Sequence, residues 1–140
     1  VEGSSYVILN AGNVGIGTTG PTATLEVKVG GTTLADAWTL RSSIRYKENI
    51  RPIDNALDKL MRLEGVYFDW KGTGKHDMGM IAEETGKVIP EVVDWDKNDP
   101  KYASGLNYDH LVGLLVEAVK GQQKEIEELK LKLIKLEQKN

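Results

Sequence analysis

SSIRYKENIRPIDNALDKL, residues 42–60, marks the point where the character of this 140-residue chain changes. Upstream, residues 1–41 hold seven Gly and seven Thr but only five charged residues. Downstream come charge, helix signals and amphipathic patterns. Ser42 and Lys47 stand five apart on this boundary, and a Ser/Lys pair is one of the few two-residue sets that makes a protein nucleophile. Beyond the pair, Asp54 is placed to cap a helix through NALDKLMRLE. Ala56, Leu57, Leu60, Met61 and Leu63 would line one side of it, with Gly65 as its stop.

The pattern continues as a compact α+β unit. VYFDW alternates, setting Val66, Phe68 and Trp70 on one face of a strand, and KGTGK supplies the turn. MGMI reads as a second strand and AEETGKV as a short helix ended before Pro90. VVDW reads as a third strand, DKNDP as a turn, and a short strand covers Tyr102 to Leu106. The core candidates are Leu57, Leu60, Phe68, Trp70, Ile81, Val92 and Leu111. From Asn107 or Asp109 a last helix begins. It carries a heptad with Val112, Val119, Ile126 and Leu133 at a, and Leu115, Gln122, Leu129 and Leu136 at d. Glu125 at g faces Lys130 at the next e, and Lys132 faces Glu137. Nearly four heptads argue a coiled coil, while Leu131 and Ile134 fall off the seam and leave the strand number open.

Upstream of Ser42, YVIL at 6–9, VGIG at 14–17 and TLEVKV at 24–29 are short β-type runs separated by NAGN and TTGP. Such a stretch buries little alone and reads as the end of a β stalk whose neighbours lie upstream or in other copies. The expected organisation is therefore a stalk end over 1–41, an α+β core over 42–109 and a coiled-coil helix over 110–140. The chain starts with Val1, and the expectation is a C-terminal piece of a longer protein.

Composition narrows the function. Eighteen basic against 21 acidic residues give no field for nucleic acid, and no cysteine means no disulfide or thiolate chemistry. No apolar run approaches the roughly 20 residues of a membrane span. GTGK at 72–75 lacks the glycine and hydroxyl of a phosphate loop, with Asp69 and His76 in their places. DWDKND from Asp94 lacks the glycine and closing glutamate of a calcium loop, where Asp99 and Gly105 stand. No metal or cofactor is expected. His76 and His110 read as surface or capping residues. Of Glu83 and Glu84 on a short helix, one is expected simply to be solvated. Trp70, Trp95 and Tyr102 read as core, against a receptor-binding tip.

Three ordered stretches resemble one family. SSIRYKENIRPIDNALDKL resembles the start of the endosialidase-type intramolecular chaperone domain, also called the S74 peptidase domain. MGMIAEETGKVIPEVV resembles its middle signature, usually written near GxIAQExxxxxPExV, and LNYDHLVGLLVEAVKGQQKEIEEL its closing helix. GNVGIGTTGPTATLEV resembles the stalk repeats that precede such domains. The resemblance implies a homotrimer at the C-terminus of a phage tailspike, tail fibre or bacterial surface protein. The upstream part of the same chain is its folding client, and neither nucleic acid nor membrane is a partner. It further implies a self-cleaving serine endopeptidase acting once, in cis or within the trimer, and releasing the chaperone part in the host cytoplasm. Carried across, Ser42 is the nucleophile, Lys47 the base, and Arg41–Ser42 the bond cut. Arg45, Asn49 and Ile50 match further motif positions. Two positions depart from the family pattern: Ser43 stands where Asp is usual, and Glu83 where Gln is usual. The rival reading is a structural trimerisation foot of a fibre or adhesin that never cuts.

A lysine in water titrates near 10.4, so fewer than about one in a thousand is neutral at pH 7. Bringing one to roughly 7–8 requires destabilising the ammonium by about 3–5 kcal/mol, and desolvation is the usual means. Three copies meeting on an axis could supply it. The sequence thus suggests that cutting reports completed assembly.

Overall fold

The structure, a computed structural model, describes residues 7–10, 12–28 and 30–139. Tyr6 and Val29, the ends of two of the β-type runs, lie outside the described residues. The chain divides into two units, Val1–Glu48 and Asn49–Asn140.

In the first unit, β1 (Val7–Asn10) and β2 (Asn13–Ile16) form an antiparallel hairpin, with Val7 opposite Ile16. Gly12 turns it at φ +89°, where a side chain would be strained. β3 (Leu25–Val27) joins β2 in parallel, Val14 opposite Leu25. The runs read as strands are strands, and they leave Val7, Leu9 and Leu25 exposed. From Gly31 to Ser43 there is no regular structure, and Leu34, Trp38 and Leu40 are likewise exposed.

The second unit is mixed α+β, as expected. α1 (Ala56–Met61) is followed by the hairpin of β4 (Val66–Asp69) and β5 (His76–Gly79). α2 (Ala82–Gly86) leads through a 3-10 turn at Pro90–Val92 into β6 (Val93–Trp95), which pairs with β7 (Ala103–Leu106). A second 3-10 turn at Tyr108–His110 opens α3 (Leu111–Glu137). At about 1.5 Å per residue, these 27 residues make a rod of roughly 40 Å.

The core is thin. Ala56 of α1, Ile89, Val92, Val93 and the α3 residues Leu111, Leu114 and Ala118 are buried, with Leu57, Leu60, Leu63, Met80 and Leu106 packed around them. On α3 these buried positions fall at g and c of the heptad. The a and d side chains Val112, Leu115, Val119, Ile126, Leu129, Leu133 and Leu136 are all exposed, and no residue from Gln122 to Lys139 is covered. One helix therefore carries two apolar stripes, and only one is used within the chain.

Several expectations change. α1 stops at Met61, short of Gly65, and begins after Asn55 in the left-handed region with no side-chain cap. Asp54 does not cap it. Its carboxylate pairs with Lys59 at 3.6 Å instead. Val66 and Phe68 do turn inward, but Trp70 lies beyond the strand end and is 50% exposed, edge-on to Phe68. Ile81, at the joint between β5 and α2, is 42% exposed. Trp95 and Tyr102 are exposed too, so neither they nor Trp70 belongs to the core of the single chain.

Gly79 ties two distant stretches together. The Tyr108 hydroxyl accepts the Met80 N–H at 2.8 Å, and a Cβ on Gly79 would lie 2.6 Å from that oxygen. Gly79→Ala should displace the ring and break this bond, costing about 1 kcal/mol. A drop in melting temperature of about 4–8 °C is expected, and Tyr108→Phe should lower it in the same direction.

Candidate functional site

Fully extended, the backbone from Ser42 to Lys47 would span about 17 Å. A 3-10 turn at Ile44–Tyr46 shortens it: the Tyr46 N–H donates to the Ser43 carbonyl and the Lys47 N–H to the Ile44 carbonyl, both at 3.1 Å. The turn brings the two side chains together. Lys47 Nζ donates to Ser42 Oγ at 2.8 Å. Both residues are exposed in the single chain. Nucleophilic attack needs the reverse polarity, with the hydroxyl donating to a neutral amine.

Ser43 occupies the N-cap position of the turn, and its side chain makes no capping hydrogen bond. An aspartate there would be suited to cap it. Arg41 and Arg45 both reach the ring of Tyr46, with guanidinium carbons 5.1 and 5.2 Å from its centroid. Asn49 takes a positive φ of 53°, which asparagine tolerates better than most residues.

The other candidates have local partners of their own. His76 Nδ1 lies 2.8 Å from Asp69 Oδ1 across the β4–β5 pair, with its ring stacked on Tyr67. His110 has Asp109 as neighbour at 3.8 Å. Asp96 Oδ1 accepts the N–H groups of Asn98 and Asp99, so DWDKND is a self-bonded turn. No cluster of metal-ligating side chains occurs among the described residues.

Residues 42–94 match a family of known proteins described as chaperone of endosialidase. The long tail fiber protein Gp37 of Enterobacteria phage K3 is 35% identical over 101 residues, 68% of this chain. That of Enterobacteria phage T2 matches to the same extent, and that of Salmonella phage S16 is 31% identical over 103 residues. The chain belongs to the chaperone-of-endosialidase family. It spans 8% of the K3 and T2 proteins and 14% of the S16 protein.

Within the family's middle signature, Glu83 proves to be structural. One carboxylate oxygen accepts the Ala103 N–H of β7 at 2.9 Å, fastening α2 to the β6–β7 hairpin. A glutamine at this position would offer the same carbonyl-type acceptor. Glu84 is the solvated partner, paired with Lys87 at the surface. Sequence reading missed the Glu83 role because its partner lies twenty residues away.

The Ala103 N–H holds the Glu83 carboxyl below its ordinary titration range, against a small opposing effect of burial. A depressed folded value stabilises the fold above the unfolded value and loses that contribution as pH falls through the folded one. Wild type should therefore lose melting temperature between about pH 5 and 3 more steeply than Glu83→Gln, which keeps the acceptor but not the charge. Paired thermal scans across that range check this.

Proposed function

We propose that the chain is the C-terminal assembly domain of a phage tail fibre or a related surface fibre. It trimerises, brings the upstream stalk into register, and then releases itself at Arg41–Ser42. The 2.8 Å contact between Lys47 Nζ and Ser42 Oγ, inside the residues matched to the family, carries this reading. The proposed parts are a stalk end over 1–41, a chaperone core over 42–109 and a coiled-coil helix over 110–140. The tail-fibre relatives favour placement in the virion tail.

Because the serine follows the bond it cuts, its own hydroxyl reaches back. Neutral Lys47 takes the Ser42 proton as Oγ adds to the Arg41 carbonyl carbon through a five-membered ring. The C–N bond then breaks with a proton delivered to the Ser42 nitrogen, leaving an ester between Arg41 and Ser42. Water hydrolyses the ester to the Arg41 carboxylate and restores the hydroxyl. The pair is exposed to water in one chain. Cover from neighbouring copies would disfavour the ammonium. The bare a/d stripe of α3 supports such neighbours, because a helix tail with no covered residue is marginal alone.

The order of events has a physical reason. Interchain β stalks depend on non-local contacts, fold slowly and expose edges meanwhile. A helix forms locally, and once associated holds three stalk ends at high effective concentration. The uncapped Ser43 favours the second reading, a foot that trimerises without cutting.

Intact mass after expression separates the two. Cutting between Arg41 and Ser42 is expected in wild type and in Ser43→Ala. It should be absent in Ser42→Ala, Lys47→Ala and Lys47→Arg, whose guanidinium stays protonated. Loss in Ser43→Ala with survival in Ser42→Ala would move the cut by one residue; survival in all variants would make the pair an accident of spacing.

Ile126→Asp tests the coupling. It sets an unpaired charge in a buried layer of the proposed coiled coil, at a cost of several kcal/mol per assembly. Light scattering should show dissociation from trimer, together with slower cutting at Arg41–Ser42. A monomer that cuts at the wild-type rate would end the coupling.

A further inference from the structure

Arg41 sits immediately before the bond proposed to be cut, and its side chain is not free. Its guanidinium carbon lies 5.1 Å from the centroid of the Tyr46 ring, within the range of a cation–π contact. Tyr46 is the last residue of the same 3-10 turn that presents Lys47 to Ser42. The turn therefore holds both sides of the reaction at once. Lys47 engages the nucleophile from one end, while Tyr46 engages the residue whose carbonyl must be attacked.

We propose that Tyr46 is a positioning residue that clamps the Arg41 side chain and so fixes the Arg41–Ser42 peptide for attack by Ser42 Oγ. The inference rests on the self-cleavage reading above. Its physical content is conformational. The five-membered ring forms only when φ and χ1 of Ser42 bring Oγ to the Arg41 carbonyl carbon, and a segment without regular structure does not by itself fix that rotation about the planar peptide. Anchoring the side chain one residue away restricts the rotation. Arg45 reaches the same ring at 5.2 Å, so the clamp is shared between two cations. It also confers a preference on the residue before the cut: a cation with a flexible stem fits the ring, and a carboxylate is repelled by its face.

The test compares cutting rates of full-length chains by intact mass over time. Tyr46→Leu, which keeps bulk and loses the ring, should slow cutting about two- to five-fold. Tyr46→Phe should restore most of the rate. Arg41→Gln should slow it by a similar factor, and Tyr46→Leu combined with Arg41→Gln should be no slower than either alone. Multiplying effects in the double variant, a wild-type rate in Tyr46→Leu, or slowing by Arg45→Gln without slowing by Arg41→Gln would each overturn the clamp. A second readout does not depend on cutting. In the Ser42→Ala chain, the Arg41 δ protons should show an upfield ring-current shift that Tyr46→Leu abolishes; its absence overturns the clamp. If the shift is present while wild type stays whole, the contact stands and the cleavage reading fails.

Discussion

α3 carries two apolar stripes, and only one of them is covered among the described residues. Its g and c positions, Leu111, Leu114 and Ala118, close the core of the second unit against α1, where Ala118 is fully buried. Gly121, one turn on, faces Leu57 of α1, where a Cβ would make an ordinary contact at 3.8 Å. The a and d positions lie roughly a quarter-turn around the helix and stay exposed among the described residues. A helix committed on one side only could have been polar on the other. This one repeats apolar residues at a and d, Gln122 excepted, for nearly four heptads, well past its last covered residues.

That division explains why the core of the second unit is small. Apolar surface that a self-sufficient domain would bury remains outside: the α3 seam, the strand residues Val7, Leu9 and Leu25, and the irregular run holding Leu34, Trp38 and Leu40. The same logic applies to chemistry. Backbone hydrogen bonds within six residues suffice to bring Lys47 onto Ser42, so the pair is fully assembled in one chain. What one chain does not provide is dryness. Geometry is local and desolvation is collective, which makes the proposed cut dependent on assembly without any moving part.

Much of this was legible in the sequence, for reasons that differ by element. The long α3 helix follows from apolar periodicity sustained over many residues. The contacting residues Ser42 and Lys47 are the two that the motif spacing singles out, and the β4–β5 hairpin follows from alternation around KGTGK with Gly72 and Gly74 at positive φ. Alternation says which residues share a face, not whether anything covers it; hence Trp70 and Ile81 were misplaced in the core. Asp54 was read as a cap because it precedes an apolar run, whereas Asn55 takes the left-handed conformation that starts α1 one residue later. The Tyr108–Met80 and Glu83–Ala103 bonds join residues 28 and 20 apart, and no local pattern announces such pairs.

The placement of the reactive turn also shapes what the proposed cut leaves behind. Ser42, Lys47 and Tyr46 all lie downstream of the bond, and only Arg41 lies upstream. Nucleophile, base and clamp would depart together on the α3-bearing piece, and the stalk would keep a terminal carboxylate with no group beside it to reactivate the acyl carbon. The Arg41–Tyr46 contact would then span two molecules. At an exposed site it is worth about 0.5–1 kcal/mol, too little to retain the departing piece. The contact thus holds the substrate while the backbone is whole and adds no appreciable brake on release. A stalk separated in this way would owe its persistence to the barrier against unfolding, since the piece that set its register is no longer joined to it.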